Sequence, residues 1–193
     1  MKTAFIDIDT QLDFLYPAGA LYVRGAERIV DATGRLNAHA VSQGIPLVST
    51  MDAHLEDDAE FRSWPPHCVA GTLGQRKPAS LLVARTAVVR NAAGADLGLD
   101  APQILMEKQS VDAFSNPYFP RLIAALAVER CVVYGVALDV CVRHAAFGLL
   151  AMGRRVEIVQ DAVRGLSALN ESKMFDEFRA AGGLIISASA LLD

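Results

Sequence analysis

Apolar runs of strand length alternate along this chain with amphipathic segments of helix length, and this alternation limits the possible folds more than any other feature. The strand-like runs are residues 2–8, 45–50, 86–90, 103–107, 130–136, 155–159 and 184–188. Several are apolar on both faces, which is typical of buried parallel strands. The segments with helical periodicity are 26–43, 117–128, 139–153 and 170–182. The pattern predicts an α/β fold with three layers: a doubly wound, mostly parallel sheet of six strands with helices on both faces, as in Rossmann-like proteins.

The composition is typical of one globular domain, which we expect to span residues 1–193. Hydrophobic residues make up 52% and charged residues 21%, which excludes a disordered or fibrous chain. The longest apolar stretches, 131–138 and 145–153, are far shorter than the ~18 residues that a membrane span needs. The net charge is −4 and no basic tract is present, so neither nucleic acid nor a membrane is an expected partner.

The first residues and the cysteines indicate a cytoplasmic protein. The opening sequence, MKTAFIDIDT, reaches an acidic residue at position 7 and has no long apolar segment, which argues against a secretory signal. Three cysteines at irregular spacing do not form a disulfide framework. We therefore expect a reduced protein in the cytoplasm.

Side chains suited to chemistry follow the carboxyl ends of four predicted strands. In chain order they are Asp9, Asp52, His54, Lys108, Asp139 and Cys141. In open parallel sheets the ligand site lies beyond these strand ends, so we expect these side chains to meet at one edge of the sheet. Residues 51–80, rich in Asp, His, Pro and Gly, form a long loop of the kind that is usually functional in a compact domain.

Cys141 is the candidate nucleophile. Asp139 is a candidate N-cap for the 139–153 helix, which would place Cys141 in the first turn, where backbone N–H groups and the helix dipole lower a thiol pKa. Asp9 is better placed as a base than any histidine, because burial at a strand end would raise its pKa. Lys108 can supply the counter-charge. A merely buried cysteine and a solvated lysine stay open as alternatives, and composition and spacing alone do not identify a reaction.

The last predicted helix has clear end signals. Asn170 is its predicted N-cap, because an Asn side chain can accept a hydrogen bond from a free backbone N–H. Met174, Phe175 and Phe178 lie near one face, which predicts the buried side of the helix. Gly182 and Gly183 are expected to end it.

Five motifs occur in order along the chain: DTQLDF (9–14), MDAH (51–54), WPPHCVAGTLG (64–74), EKQSVDAFS (107–115) and GVALDVCV (135–142). Together they resemble the motifs of the isochorismatase-like cysteine hydrolases, and within that family most closely those of the nicotinamidases. The resemblance runs from about residue 4 to residue 165 and implies the isochorismatase-like fold.

The resemblance implies a catalytic triad. Asp9 would be the base and later the acid, Lys108 its electrostatic partner, and Cys141 the nucleophile that forms a thioester. A cis peptide bond between Val136 and Ala137 is also implied, which would direct the N–H groups of Ala137 and Cys141 into an oxyanion hole.

A divalent metal is implied as the cofactor. Asp52, His54 and His67 match the three constant ligands of the nicotinamidases, and Glu60 resembles one variant of the fourth. Oxygen and imidazole donors suit Zn²⁺, with Mn²⁺ or Fe²⁺ as alternatives. In the nicotinamidases the metal holds the pyridine nitrogen of the substrate and so orients it. Glu60 could also belong to a solvated acidic loop, EDDAE (56–60).

The implied function is hydrolysis of nicotinamide to nicotinic acid and ammonia, a step of NAD salvage. Phe14, Trp64 and Phe114 match aromatic positions of the substrate pocket, which suits a flat heteroaromatic amide. Leu138 stands where many members of the family have Thr, so another small amide is the alternative substrate. Self-association into a homo-oligomer is compatible with the resemblance.

Two readings from other classes remain. One is a non-catalytic metal-binding or scaffold protein, which would carry an unreactive Cys141. The intact triad argues against this class. Hydrolysis of an isochorismate-type vinyl ether is disfavoured, because that branch of the family lacks the set formed by Asp52, His54 and His67.

Overall fold

A computed structural model describes residues 1–192 and contains a parallel sheet of seven strands with helices around it. The order across the sheet is β3-β4-β2-β1-β5-β6-β7, and every neighbouring pair is parallel. The strands are β1 (Thr3–Ile8), β2 (Leu47–Asp52), β3 (Thr86–Val89), β4 (Gln103–Lys108), β5 (Arg130–Val136), β6 (Arg155–Arg164) and β7 (Leu184–Ile186). The α-helices are α1 (Leu12–Leu15), α2 (Val30–Ser42), α3 (Tyr118–Ala125), α4 (Arg143–Ala151), α5 (Ala168–Ala180) and α6 (Ser189–Leu192).

The predicted α/β class is confirmed, and the predicted count of six strands is wrong by one. All seven apolar runs form strands of this sheet, and its two edges are the shortest of them, with four residues in β3 and three in β7. Central strands such as β1 and β5 are buried almost throughout, whereas the edge strands are partly exposed. Edge strands of soluble proteins are commonly short.

The capping residues of two helices differ from the predictions. Ser167, not Asn170, is the N-cap of α5, because the Ser167 side chain accepts a hydrogen bond from the Asn170 N–H. A π-helical turn (Leu138–Val142) precedes α4, and Asp139 lies inside this turn without capping it. The predicted end of α5 is confirmed, with the helix ending at Ala180 and Gly182 at φ 90°.

Buried side chains pack on both faces of the sheet and form its core. The largest of them include Phe5, Tyr134, Phe119 and Phe178, each no more than 1% exposed. A second, smaller cluster around Phe14 lies near the carboxyl ends of β1 and β5. None of the helices within residues 1–192 combines the length and the apolar character that crossing a bilayer requires.

Gly135 allows β5 to lie against the end of β1, directly before Asp9. It pairs with Ile8 and has φ 118°, a backbone conformation that side chains rarely adopt. A Cβ at this position would lie 2.0 Å from the Ile8 carbonyl oxygen. The close approach of these two strands therefore depends on the absence of a side chain.

Replacing Gly135 by Ala is expected to destabilise the protein by about 3 kcal/mol or more, because the clash with Ile8 adds to the unfavourable φ. Gly44→Ala is the matched control, since Gly44 also has a positive φ of 64° but no atom within 4 Å of its added Cβ. The control is expected to lose about 1 kcal/mol. Equilibrium urea unfolding measures both, and equal losses would show that the contact with Ile8 is unimportant.

Candidate active site

Asp9, Lys108 and Cys141 come from three different strand ends and meet below the carboxyl edge of the sheet. Asp9 directly follows β1, Lys108 is the last residue of β4, and Cys141 lies in the π-helical turn after β5. All three are buried, with Cys141 7% exposed. Lys108 Nζ lies 2.9 Å from Asp9 Oδ2 and 3.9 Å from Cys141 Sγ. The structure thus brings together the three residues that the sequence proposes as a triad.

Lys108 also contacts a second carboxylate. Its Nζ lies 2.5 Å from Asp52 Oδ1 and donates to the Ser110 carbonyl oxygen at 2.8 Å. Asp52 is the register partner of Lys108 in the neighbouring strand β2, which explains the contact. One buried cation therefore lies between Asp9 and Asp52.

The Asp9 carboxylate is held in place by its neighbours. Its Oδ1 accepts a hydrogen bond from Thr50 Oγ1 at 2.7 Å, and the Asp9 backbone has a left-handed φ of 48°. The Gln11 N–H donates to the Asp9 carbonyl oxygen at 2.8 Å, which closes the turn. Such backbone conformations in non-glycine residues are enriched at functional sites.

Burial and neighbouring charges together shift the pKa values of Asp9 and Lys108. Burial raises the pKa of Asp9, and the opposing charge of Lys108 offsets this only in part, as the sequence predicts. Burial alone would lower the pKa of Lys108, but the charges of Asp52 and Asp9 raise it well above its usual range. Lys108 is therefore a permanent cation, while Asp9 is a carboxylate with increased affinity for a proton.

The prediction of a lowered pKa for Cys141 is wrong. Burial raises the thiol pKa well above its usual value, and Lys108 offsets only part of this effect while Asp9 adds to it. The helix-start argument fails because the thiol is removed from water and faces carboxylates as well as a cation. Cys141 is thus a thiol that needs a base to become a nucleophile.

The peptide bond between Val136 and Ala137 is cis, as the resemblance implies. The π-helical turn folds back onto Ala137, whose carbonyl oxygen accepts from the N–H groups of Val140 and Val142 at 3.0 and 3.1 Å. Ala137 and Cys141 both line one cavity.

Asp52, His54 and His67 form a compact buried cluster beside the triad. Their possible ligand atoms all lie within 4.8 Å of one another. Asp52 Oδ2 lies 3.8 Å from His54 Nε2 and 3.6 Å from His67 Nε2. Burial raises the pKa of Asp52, but Lys108 and the two imidazoles outweigh it and hold that pKa far below its usual value. Asp52 is therefore an ionised carboxylate facing two imidazoles.

The contacts of the two imidazole rings with neighbouring groups suit a metal site. His67 Nδ1 donates to the Pro65 carbonyl oxygen at 2.7 Å, and His54 Nδ1 lies 3.1 Å from Asp58 Oδ2. Both contacts leave Nε2 as the ring atom that faces Asp52, an arrangement typical of metal-binding histidines. His54 Nε2 is fully buried and has no hydrogen-bond partner among residues 1–192. One carboxylate and two imidazoles fit a divalent ion such as Zn²⁺.

Glu60 lies at the border of the cluster. Its Oε1 is 3.9 Å from His54 Nε2, whereas its Oε2 accepts from the Val111 N–H at 3.0 Å. Burial, followed by the charge of Asp52, raises the pKa of Glu60. One carboxylate oxygen of Glu60 thus faces the cluster, while the other holds the backbone of Val111.

One small cavity joins the thiol to the cluster. Polar lining groups come from Asp52, Glu60 and His67, and Phe14 and Trp64 contribute aromatic rings. The remaining side chains are aliphatic: Leu21, Val23, Val111, Val140 and Leu166, with Ala137 beside Cys141. An apolar lining with a few polar groups is typical of a small-molecule site.

Phe114, the third aromatic residue predicted to contact substrate, does not line this cavity. Its ring packs edge-on against Phe119, with 5.0 Å between ring centroids. It also fills the space above Gly148, where an added Cβ would lie 2.1 Å from Phe114 Cε2. The predicted role of Phe114 is therefore corrected: the residue packs α4 against the segment that follows β4.

Sequence reasoning missed two groups that attach the long loop to β1. The Gln11 side chain bonds both the N–H and the carbonyl oxygen of Asp52, at 2.7 and 2.8 Å, and also the Gln75 carbonyl oxygen at 2.8 Å. Lys77 Nζ is buried and pairs with Asp7 at 3.1 Å. Gln11 stands within the quoted DTQLDF motif, but only the folded chain reveals its partners.

The model of the isochorismatase domain matches residues 3–190 of this chain. The chain therefore belongs to the isochorismatase family. It is 30% identical to the nicotinamidase/pyrazinamidase of Mycobacterium tuberculosis, over 96% of this chain and 99% of that protein. It is 26% identical to the maleamate amidohydrolase of Pseudomonas putida, over 98% and 85%. The crystal structure of Pyrococcus horikoshii pyrazinamidase in complex with zinc superposes with a TM-score of 0.80 and 26% identity, covering 97% of this chain and 99% of that chain.

Asp58→Asn is expected to weaken Zn²⁺ binding about 10- to 100-fold, because the negative charge beside His54 Nδ1 is lost. Asn retains the ability to cap the turn at Ala59–Arg62, which Asp58 caps through the Glu60 N–H. Competition with a chromogenic chelator measures the affinity. The matched control is Asp57→Asn, an exposed neighbour, and equal affinities in both variants would contradict the role of Asp58.

Proposed function

We propose that this protein is a metal-dependent cysteine amidohydrolase that converts nicotinamide to nicotinic acid and ammonia. The observation that carries the proposal is the joint opening of one cavity onto Cys141 and onto the cluster of Asp52 and His67. A thiol able to attack an amide and a set of ligands able to orient it thus share one small space. We further propose a role in NAD salvage in the cytoplasm.

The comparisons support hydrolysis of an amide C–N bond. Two relatives are named for amide hydrolysis, one of nicotinamide and one of maleamate. The superposed pyrazinamidase is described in complex with zinc, which supports a divalent metal at the cluster of Asp52, His54 and His67. Zn²⁺ is the ion we propose.

In the first proposed step Asp9 takes the proton of the Cys141 thiol. The raised pKa of Asp9 makes it a useful base, and Lys108, 3.9 Å from the sulfur, stabilises the thiolate. The thiolate attacks the carboxamide carbon, and the oxyanion accepts from the N–H groups of Ala137 and Cys141. Asp9 then gives its proton to the leaving nitrogen, so that the C–N bond breaks and ammonia departs.

In the second proposed step water hydrolyses the thioester. Asp9 removes a proton from the water, the new C–O bond forms, and the C–S bond breaks. The proton returns from Asp9 to the Cys141 sulfur as nicotinic acid leaves. Lys108 keeps a cation beside both groups throughout, which limits the accumulation of negative charge in a buried site.

The metal, when bound, would supply a Lewis acid that holds the ring nitrogen of the substrate, with Asp52, His54 and His67 as its ligands and Glu60 at its border. Phe14 and Trp64 would contact the faces of the ring. Together these groups would hold the carboxamide carbon against Cys141, so that their main contribution is orientation.

Another small amide is the second candidate substrate, because one relative is named for maleamate. Maleamate carries a carboxylate, and the lining of the cavity, as far as residues 1–192 define it, contains no Lys or Arg. Asp52 and Glu60 add negative charge there instead. Apart from the charge of the proposed metal, the side chains of the lining therefore favour an uncharged amide over maleamate.

Cys141→Ala is expected to lower ammonia release from nicotinamide at least about a thousandfold, because no other group in the triad can form the thioester. Nicotinamide should still bind, since the metal ligands and aromatic rings remain, and isothermal titration calorimetry measures this. Cys131→Ala is the matched control, because Cys131 is buried within β5 and away from the cavity. Appreciable turnover by Cys141→Ala would disprove the covalent route.

Removal of the metal by dialysis against dipicolinate is expected to abolish ammonia release from nicotinamide, because the substrate loses its orienting partner. Added Zn²⁺ or Mn²⁺ should restore it. Activity that persists in metal-free protein, checked by elemental analysis, would refute metal dependence while leaving the cysteine route intact. Loss of activity with no restoration by any divalent ion would refute orientation by a simple exchangeable metal.

A further inference from the structure

Leu166 forms the outer wall of the active-site cavity. It follows β6 by two residues and lines the same cavity as Cys141, yet it is 45% exposed. One side of Leu166 therefore faces the substrate space and the other faces water. Large apolar side chains at such a border define the size of what can enter.

Two carboxylates hold the backbone of this wall. The Leu166 N–H donates to Asp139 Oδ1 at 2.9 Å, and the Gly165 N–H donates to Glu171 Oε1 at 2.8 Å. Hydrogen bonds to ionised acceptors are about twice as strong as neutral ones. The wall is thus attached at two successive residues.

Asp139 connects the wall directly to the turn that carries the thiol. It precedes Cys141 by two residues within the π-helical turn. Its second oxygen, Oδ2, accepts from Asn170 Nδ2 at 2.6 Å, which also attaches the first turn of α5. One carboxylate thereby joins the nucleophile turn, the wall and α5.

The packing around Gly165 leaves this wall little freedom. A Cβ added to Gly165 would lie 2.8 Å from Glu171 Cγ and 3.0 Å from Asp139 Oδ1. The two acidic side chains therefore close around the bare backbone. Their contact with the wall requires a glycine at this position.

We infer that Leu166 determines the size of substrate that the cavity accepts, and that Asp139 is the positioning residue that fixes Leu166 relative to Cys141. For substrate choice this inference rests on the proposed amidase function. It assigns to Asp139 a structural link rather than a chemical step, since its side-chain hydrogen bonds within residues 1–192 are to Leu166 and Asn170.

Leu166→Ala is the direct test. Removing this side chain should raise KM for nicotinamide about tenfold, because apolar contact with the ring is lost. The ratio of kcat/KM for 5-methylnicotinamide to that for nicotinamide should rise, because the cavity becomes larger. Leu169→Ala is the matched control: Leu169 is 78% exposed, three residues further on, and does not line the cavity. Equal kinetics for both variants would overturn the role of Leu166.

A double-mutant cycle tests Asp139. Asp139→Ala should also raise KM for nicotinamide and the ratio of kcat/KM for 5-methylnicotinamide to that for nicotinamide. When Asp139→Ala is added to Leu166→Ala, KM and this ratio should each change by less than about twofold, because both residues act on one wall. Fully multiplicative effects would show that Asp139 acts independently of Leu166. Asp139→Asn, which retains an acceptor for the Leu166 N–H, should recover part of the wild-type ratio, whereas a purely structural loss would not be rescued in this ratio.

The rate of thiol alkylation separates this inference from the proposed function. Iodoacetamide and the bulkier iodoacetanilide alkylate thiols, so their rates with Cys141 can be measured without any turnover of substrate. Leu166→Ala should raise the rate with iodoacetanilide relative to iodoacetamide, even if wild-type protein does not hydrolyse nicotinamide. An unchanged ratio would overturn the inference, and absent hydrolysis with a raised ratio would overturn only nicotinamide as the substrate.

Discussion

The buried ammonium of Lys108 is the interaction on which the rest of the site depends. Two carboxylates, Asp9 and Asp52, lie within 2.9 Å of it, and neither has access to water. Without the cation, two buried negative charges would repel each other and one would be protonated. Lys108 therefore allows Asp9, the proposed acid–base group, and Asp52, a proposed metal ligand, to be neighbours in a buried site.

The sheet supplies the rigidity that this charge arrangement needs. Asp52 and Lys108 are register partners in β2 and β4, and Asp9 follows the adjacent β1. Charges that are fixed by strand pairing cannot relax toward water, so their mutual orientation is set before any substrate binds. Preorganisation of this kind is the main source of electrostatic catalysis. Gln11 and the buried pair of Lys77 with Asp7 extend it to the long loop.

The two walls of the cavity serve different purposes. The inner wall carries the carboxylates of Asp52 and Glu60 and the imidazole of His67, which suit the binding of a polar amide. The outer wall is aliphatic and ends at Leu166, whose backbone is held by Asp139. In the proposed function the chemistry takes place at the inner wall and the selection by size at the outer wall, and Asp139 connects the two.

The sequence by itself determined the α/β class and the strand ends that carry Asp9, Lys108 and Cys141, because periodicity is a local property of the chain. The cis bond before Ala137 was implied by the resemblance of its motifs to those of the family. Tertiary structure alone decided that all seven strands join one sheet, that Phe114 lies away from the cavity and that the pKa of Cys141 is raised. It also revealed the contact of Asp139 with Leu166. Each of these features depends on burial and on partners distant along the chain, and the local spacing of residues predicts neither burial nor such partners.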